Sequence, residues 1–203
     1  DVYSSDLGFG LRVPFAIYAV ALLIAAAVVY FALRDSTLAQ PEDSSDLRIM
    51  TFREGWANAS FRASLVSSFA NGWAVFGARM AMVPLFVVEV LHRDPALAGI
   101  ALTVFAVGNA AVLLPAGRLS DRYGRKPFLI VGTAVCGAAT IGMGFSTELW
   151  LFFVTSLIAG MGSGLINPAQ QAAVADIIGS KARGGPVLAA FQMVSDVGAV
   201  VGP

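Results

Sequence analysis

Hydrophobic and polar positions follow one another in long blocks rather than in short alternations. Val13 to Leu33 runs twenty-one residues without a charge, and Ala63 to Val90 is broken only by Arg79 inside it and Glu89 at its far end. Pro95 to Ala116 and Phe128 to Phe145 carry no charge, Leu149 to about Ala175 is a fifth apolar block, and a sixth starts at Val187 and continues to Pro203. An α-helix needs about 20 such residues to cross roughly 30 Å of hydrocarbon, and backbone groups in lipid must be satisfied within the segment. A membrane barrel shows alternating segments of about ten residues, a pattern the sequence lacks. The fold class expected is an all-α membrane protein. Its first helix falls within 1–33 and a polar linker spans 34–62. A bundle over 63–203 follows, with helices near 63–90, 95–116, 128–145, 149–175 and 187–203.

The connectors set an orientation. Arg34 to Arg62 is polar, with Pro41, Glu42, Asp43, Ser44 and Ser45 at its centre; Leu91 to Asp94 and Ser146 to Glu148 are short. Gly117 to Pro127 is strongly basic, and Ile178 to Pro186 carries Lys181 and Arg183. Placing the linker and the two basic connectors on one side gathers Arg34, Arg48, Arg53, Arg62, Arg118, Arg122, Arg125, Lys126, Lys181 and Arg183 there. Arg12 and Arg93 fall on the other. The excess of Lys and Arg in cytoplasmic loops predicts that 34–62, 117–127 and 178–186 face the cytoplasm.

Composition narrows the picture. Charged residues are 13% of the chain, about half the share in a soluble domain, and the formal net charge is zero. There is no basic surplus for phosphate neutralisation, so a nucleic-acid partner is not expected. Cys136 is a lone cysteine and His92 a lone histidine, which leaves no metal site and no nucleophile–base pair to expect. Neither an enzyme nor a bound cofactor is anticipated. The chain opens at Asp1 and stops inside an apolar run, and is read as an internal piece of a larger polypeptide. Gly160-Met161-Gly162-Ser163-Gly164 has neither the preceding strand nor the following Lys-Ser/Thr of a phosphate loop; Gly160 and Gly164, four apart, suit close helix packing. Pro84 and Pro168 lie late in their helices, where each removes a backbone donor and can bend the helix.

Several residues are candidates for substrate or proton handling. Arg79 is the charge near the middle of a membrane helix, a position that costs about 3 kcal/mol or more without a cavity or a partner. It either binds an anionic group, senses a neighbouring acid, or is bonded structurally to backbone. Asn71, eight residues earlier, falls near the same helical face, with Trp73 and Phe76 beside it. Asp196, with Gln192 at i−4, forms a polar stripe that either carries a proton or pairs with Lys181 or Arg183. Asn109, Asn167, Gln170 and Gln171 suit interhelical hydrogen bonds. Asp176 is expected to pair with the basic connector that follows it.

The most specific stretch is Gly117-Arg118-Leu119-Ser120-Asp121-Arg122-Tyr123-Gly124-Arg125-Lys126-Pro127. Its two glycines allow a tight reversal, and Asp121 can pair with Arg122 or Arg125 or sit at the positive end of a helix. Gly117, Leu119, Asp121, Arg122, Gly124, Arg125 and Lys126 fall in register with the loop signature of the major facilitator superfamily, which the chain resembles. Gly198, Gly202 and Pro203 resemble a glycine–proline helix element of its drug/proton antiporters, and Leu11 to Phe15 resembles the lead-in to their sixth helix. The fourth-helix arginine of the family is replaced, the matching positions being Ser156, Ala159 and Gly160. The resemblance therefore points to helices six to eleven of the carboxyl-terminal half, with the other half of the polypeptide as a partner across which Asp121 would reach.

What the resemblance implies is secondary active transport by alternating access in a bacterial cytoplasmic membrane, with a small-molecule substrate, protons and membrane lipid as partners. Proton-coupled efflux of lipophilic, drug-like molecules is the first expectation. Uptake of a sugar or organic anion with Arg79 on the negative charge is the second, and a truncated, non-transporting membrane protein is the reading from another class.

Overall fold

The computed structural model describes residues 48–179 and 182–202, together with positions 19, 20, 22–24, 26 and 27. The chain divides into two units, Asp1–Asp46 and Leu47–Pro203. In the first unit the described positions are helical; the remainder of the helix expected within 1–33 and most of the linker lie outside the described residues.

The second unit is a helical bundle. It opens with β1 (Arg48–Ile49), which pairs in parallel with β2 (Ala182–Arg183), Arg48 opposite Ala182. This two-residue pairing leaves the all-α class intact. A short helix, α1 (Phe52–Ala57), precedes the first long one. Asn58 caps the next helix by accepting a hydrogen bond from the Ser60 N–H at 2.9 Å, so helix begins at Ala59, ahead of the 63 expected from hydropathy. The span Ala59–Glu89 consists of α2 (Ala59–Asn71), a wide-turned π segment (Gly72–Ala78) and α3 (Arg79–Glu89). Then follow α4 (Ala96–Tyr123), α5 (Arg125–Gly144), α6 (Leu149–Ile178) and α7 (Gly185–Val201). Among the described residues, four helices are long and apolar enough to cross a membrane: Ala59–Glu89, α4, α5 and α6. At about 1.5 Å per residue, the 28 residues of α4 exceed a hydrocarbon core of roughly 30 Å.

The basic stretch turns out to be mostly helix. α4 continues to Tyr123 and α5 starts at Arg125, so the connector is Gly124 alone, at φ 91°, a left-handed conformation open to glycine. Gly117 does not take part in the reversal. It lies inside α4, and a Cβ there would meet open space.

α6 is the most buried of the four and packs against both α4 and α5, while α7 packs against α2 and the π segment. Gly160 and Gly164 set the α4 contact: a side chain at either would strike the carbonyl of Phe105 or Asn109. Gly132 and Gly162 do the same between α5 and α6. With little hydrophobic drive between helices in lipid, such close backbone approach is what holds spans together. Three apolar clusters are strung along the unit. Phe61, Leu65, Val174, Val187 and Phe191 form one, Val75, Phe105, Ala139 and Ala159 the middle one, and Val83, Val87, Ala98, Ala101 and Phe152 the third.

Candidate functional site

Two arginines organise the polar chemistry of the bundle. Arg125 sits at the Gly124 turn, where ending α4 and starting α5 at a single residue brings it back over the last turn of α4. Its Nη1 bonds Asp121 and the buried Ser120 Oγ, the latter at 3.1 Å, and its Nε donates to Asp176 Oδ2 at 3.1 Å. Asp176 thus pairs with the α4–α5 junction. Lys181, in the connector that follows α6, lies outside the described residues. One guanidinium therefore fastens the ends of α4, α5 and α6 together, using the planar fork that suits arginine to two carboxylates. Of the other signature residues, Arg122 lies over the Tyr123 ring at 5.6 Å, and Leu119 is half exposed. Lys126 and Asp121 line a groove of about 730 Å³, shared with Asn58, Ser64, Gln170 and Asp176.

Arg79, at the start of α3, is only 6% exposed. Its Nη2 donates to Thr140 Oγ1 at 3.1 Å, its Nη1 lies 3.9 Å from Met143 Sδ, and its guanidinium carbon stands 4.2 Å from the centre of the Phe105 ring. The cation is thus held by a hydroxyl, a thioether and an aromatic face, all neutral. Its Nε is the buried side-chain polar atom left without a hydrogen-bond partner among the described residues. The same side chain lines a cavity of about 300 Å³, with Phe76 and Phe105 on its apolar walls and Asn109, Ser163 and Asn167 supplying polar groups.

Those polar groups belong to a ladder along one face of α6. Asn109 Nδ2 donates to Ser163 Oγ at 3.1 Å, Asn71 Nδ2 to Asn167 Oδ1 at 3.2 Å, and Gln170 Nε2 to Ser67 Oγ at 2.6 Å. Asn71 reaches the cavity only through Asn167; the wide turns of Gly72–Ala78 shift the phase that a uniform α-helix would give between Asn71 and Arg79. Phe76 lines the cavity, whereas Trp73 is half exposed and is not part of its wall.

A model of the family described as Major Facilitator Superfamily matches residues 64–203, which contain both arginine sites and all four spans except the first turn of α2. The chain belongs to the major facilitator superfamily. Among its relatives are an uncharacterized MFS-type transporter of Mycobacterium tuberculosis, 30% identical over 70% of this chain and 27% of that protein, and a Na(+), Li(+), K(+)/H(+) antiporter of Planococcus maritimus, 30% identical over 72% and 35%. Multidrug resistance protein 2 of Bacillus subtilis is 28% identical over 68% of this chain and 34% of its own length. The chain spans about a quarter to a third of the length of these relatives.

Within this member of the superfamily, the α7 candidates divide. Gly198 and Gly202 are packing residues: a Cβ on Gly198 would strike the Phe69 carbonyl, and one on Gly202 would come within 2.6 Å of Gly77 Cα. Gly72 and Gly77 reciprocate from the π segment, so a glycine pair on each element lets the backbones touch. Pro203 lies outside the described residues. Gln192 and Asp196 are exposed and meet each other at 3.4 Å, away from the Arg79 cavity. Phe105, Thr140, Met143 and Ser163 were not singled out by sequence reasoning. Thr140, Met143 and Phe105 carry no local signal of their own. Ser163 does, since with Asn167 and Gln170 it marks i, i+4, i+7 on an otherwise apolar helix.

Proposed function

We propose that the chain forms the carboxyl-terminal half of a secondary active transporter, resembling helices six to eleven, that works by alternating access and exports small lipophilic molecules in exchange for protons. The observation that carries this is the Arg79 cavity. It is a space of about 300 Å³, walled by residues of the π segment, α3, α4 and α6, that combines aromatic surface with a few placed polar groups. Its polar donors lie deep in helices built to span a membrane, where ionisable residues mark substrate and ion paths. The names of the antiporter and multidrug relatives support coupling and efflux.

In this reading the charge bias of the connectors puts 34–62, 117–127 and 178–186 at the cytoplasmic face of a bacterial inner membrane. The Asp121–Arg125–Asp176 cluster then lies at that face, where it keeps the α4, α5 and α6 ends moving as one body while the half rocks against its counterpart. The test is proton movement in proteoliposomes carrying the full polypeptide that contains this sequence. Adding a lipophilic substrate to vesicles loaded with a pH-sensitive dye is expected to produce a protein-dependent pH change. No pH change together with no flux of any lipophilic compound overturns the transport reading.

A further inference from the structure

The Arg79 cavity carries its own statement about what it takes. A guanidinium without a counter-ion is costly to bury, and here three neutral contacts offset that cost while the buried Nε has no hydrogen-bond partner among the described residues. No carboxylate lines the cavity among the described residues. The remaining polar groups lean the same way. Asn167 spends its oxygen on Asn71, which leaves its NH₂ to donate, and Ser163 Oγ accepts from Asn109, which leaves its hydroxyl proton. The Arg79 guanidinium, the Asn167 amide and the Ser163 hydroxyl are therefore donors around one space, where the acceptor left over is the Asn109 side-chain oxygen. Phe76, Val75 and Leu102 provide the apolar wall. About 300 Å³ is at the small end of ligand sites, room for one ring and its charged group.

We infer that this cavity binds a compact aromatic anion, a carboxylate or sulfonate, with its charged oxygens on the Arg79 guanidinium and the Asn167 amide and its ring on the Phe76 side. The inference rests on the transport reading for its meaning as a substrate site, but the binding it describes is independent of flux. Bound there, the anion neutralises the buried cation, and a cationic lipophile of the same size is rejected by the same charge.

Benzenesulfonate and phenyltrimethylammonium test this, since they match in ring and size and differ in fixed charge. Equilibrium binding of each radiolabelled probe is measured on the protein in lipid nanodiscs. Saturable benzenesulfonate binding is expected, with the ammonium probe at least tenfold weaker. Arg79→Gln is expected to weaken the anion at least tenfold and to abolish that preference. Asn167→Leu, which leaves the arginine in place, is expected to weaken it severalfold without abolishing it. Anion binding unchanged in Arg79→Gln, or preference for the cation in the unaltered protein, overturns the inference. The two readings fail separately. Proton-coupled flux of a lipophilic compound, together with anion binding that ignores Arg79→Gln, overturns the anion site and leaves transport standing. Anion binding that depends on Arg79, with no flux of any compound, does the reverse.

Discussion

Arg79 and Arg125 carry the same guanidinium into opposite settings. Arg125, at a helix junction and partly exposed, meets two carboxylates and a hydroxyl and uses both Nε and Nη1 on them. Arg79, deep in the bundle, meets no carboxylate among the described residues and keeps Nε free. In water-rich surroundings a neutralised arginine is a clamp whose strength is modest and salt-dependent. In apolar surroundings an un-neutralised arginine lowers stability, which is the physical ground for the proposed ligand. Where the counter-charge is supplied, the residue serves the fold; where it is missing, an anionic ligand is what we propose supplies it.

α6 ties the two settings together, since it brings Ser163 and Asn167 to one and Asp176 to the other. Gly160→Leu therefore has the largest expected effect. The new side chain strikes the Phe105 carbonyl, and overpacking of this kind costs about 1–3 kcal/mol, and more where the atom met is backbone. Both arginine sites are expected to fail together, seen as loss of monodisperse protein on size exclusion in detergent. Gly99→Ala, at a helix position open to its surroundings, is the control and is expected to leave the elution unchanged.

A paired measurement then separates the two regions by sign. Arg125→Leu leaves Asp121 and Asp176 facing each other without a cation, and is expected to destabilise by about 1–2 kcal/mol, the exposure of both acids keeping the figure low. Arg79→Met removes an uncompensated buried charge at similar volume, and is expected to leave stability unchanged or raise it by up to about 2 kcal/mol. Thermal melting of both variants in the same detergent decides it. If both fall by the same amount, Arg79 is a clamp like Arg125 and the contrast is gone.

How much of this could be read from the sequence follows the range of each interaction. Spans are local properties of composition, so the four membrane-length helices among the described residues fall on apolar blocks, and the close-packing role of Gly160 and Gly164 follows from their spacing. The boundaries move where a cap or a turn decides them: Asn58 starts α2 early, and Gly124 alone ends α4, because Gly117 to Tyr123 stay helical. Arg79 stood out because a charge inside an apolar block is conspicuous. Its surroundings did not, because Thr140 and Met143 are 61 and 64 residues away. Asp176 shows the same limit. Sequence proximity points to the connector after it, whose Lys181 lies outside the described residues, and gives no sign of Arg125 at the α4–α5 turn, 51 residues back, which Asp176 meets.

Arginine geometry supplies a smaller effect. Arg125→Lys keeps the charge but replaces the fork by one ammonium, which cannot serve Asp176 and Asp121 from separate nitrogens. About half of the Arg125→Leu loss is expected to remain, read as the recovered fraction of its melting shift. Full recovery by lysine means that charge alone, not the bidentate geometry, holds the junction.

The smallest expected effect isolates the tie between helices. Asp121 and Arg125 are four residues apart across the turn, so their bond stays local, while Asp176 links that turn to α6. Asp176→Asn keeps the size and one acceptor and removes the charge, and its expected cost is about 0.2–1 kcal/mol, the range of an exposed pair. Because the Debye length falls to about 3 Å at 1 M salt, the difference between Asp176→Asn and the unaltered protein is expected to vanish there. Raising the salt is expected to leave Arg79-dependent binding of an uncharged-buffer-equilibrated anion probe nearly untouched, since a buried pair is screened little. Melting and binding curves in parallel salt series measure both. If salt erases the Arg79 dependence as readily as the Asp176 difference, the cavity is wetter than its enclosing residues imply, and the two arginines differ in partners but not in surroundings.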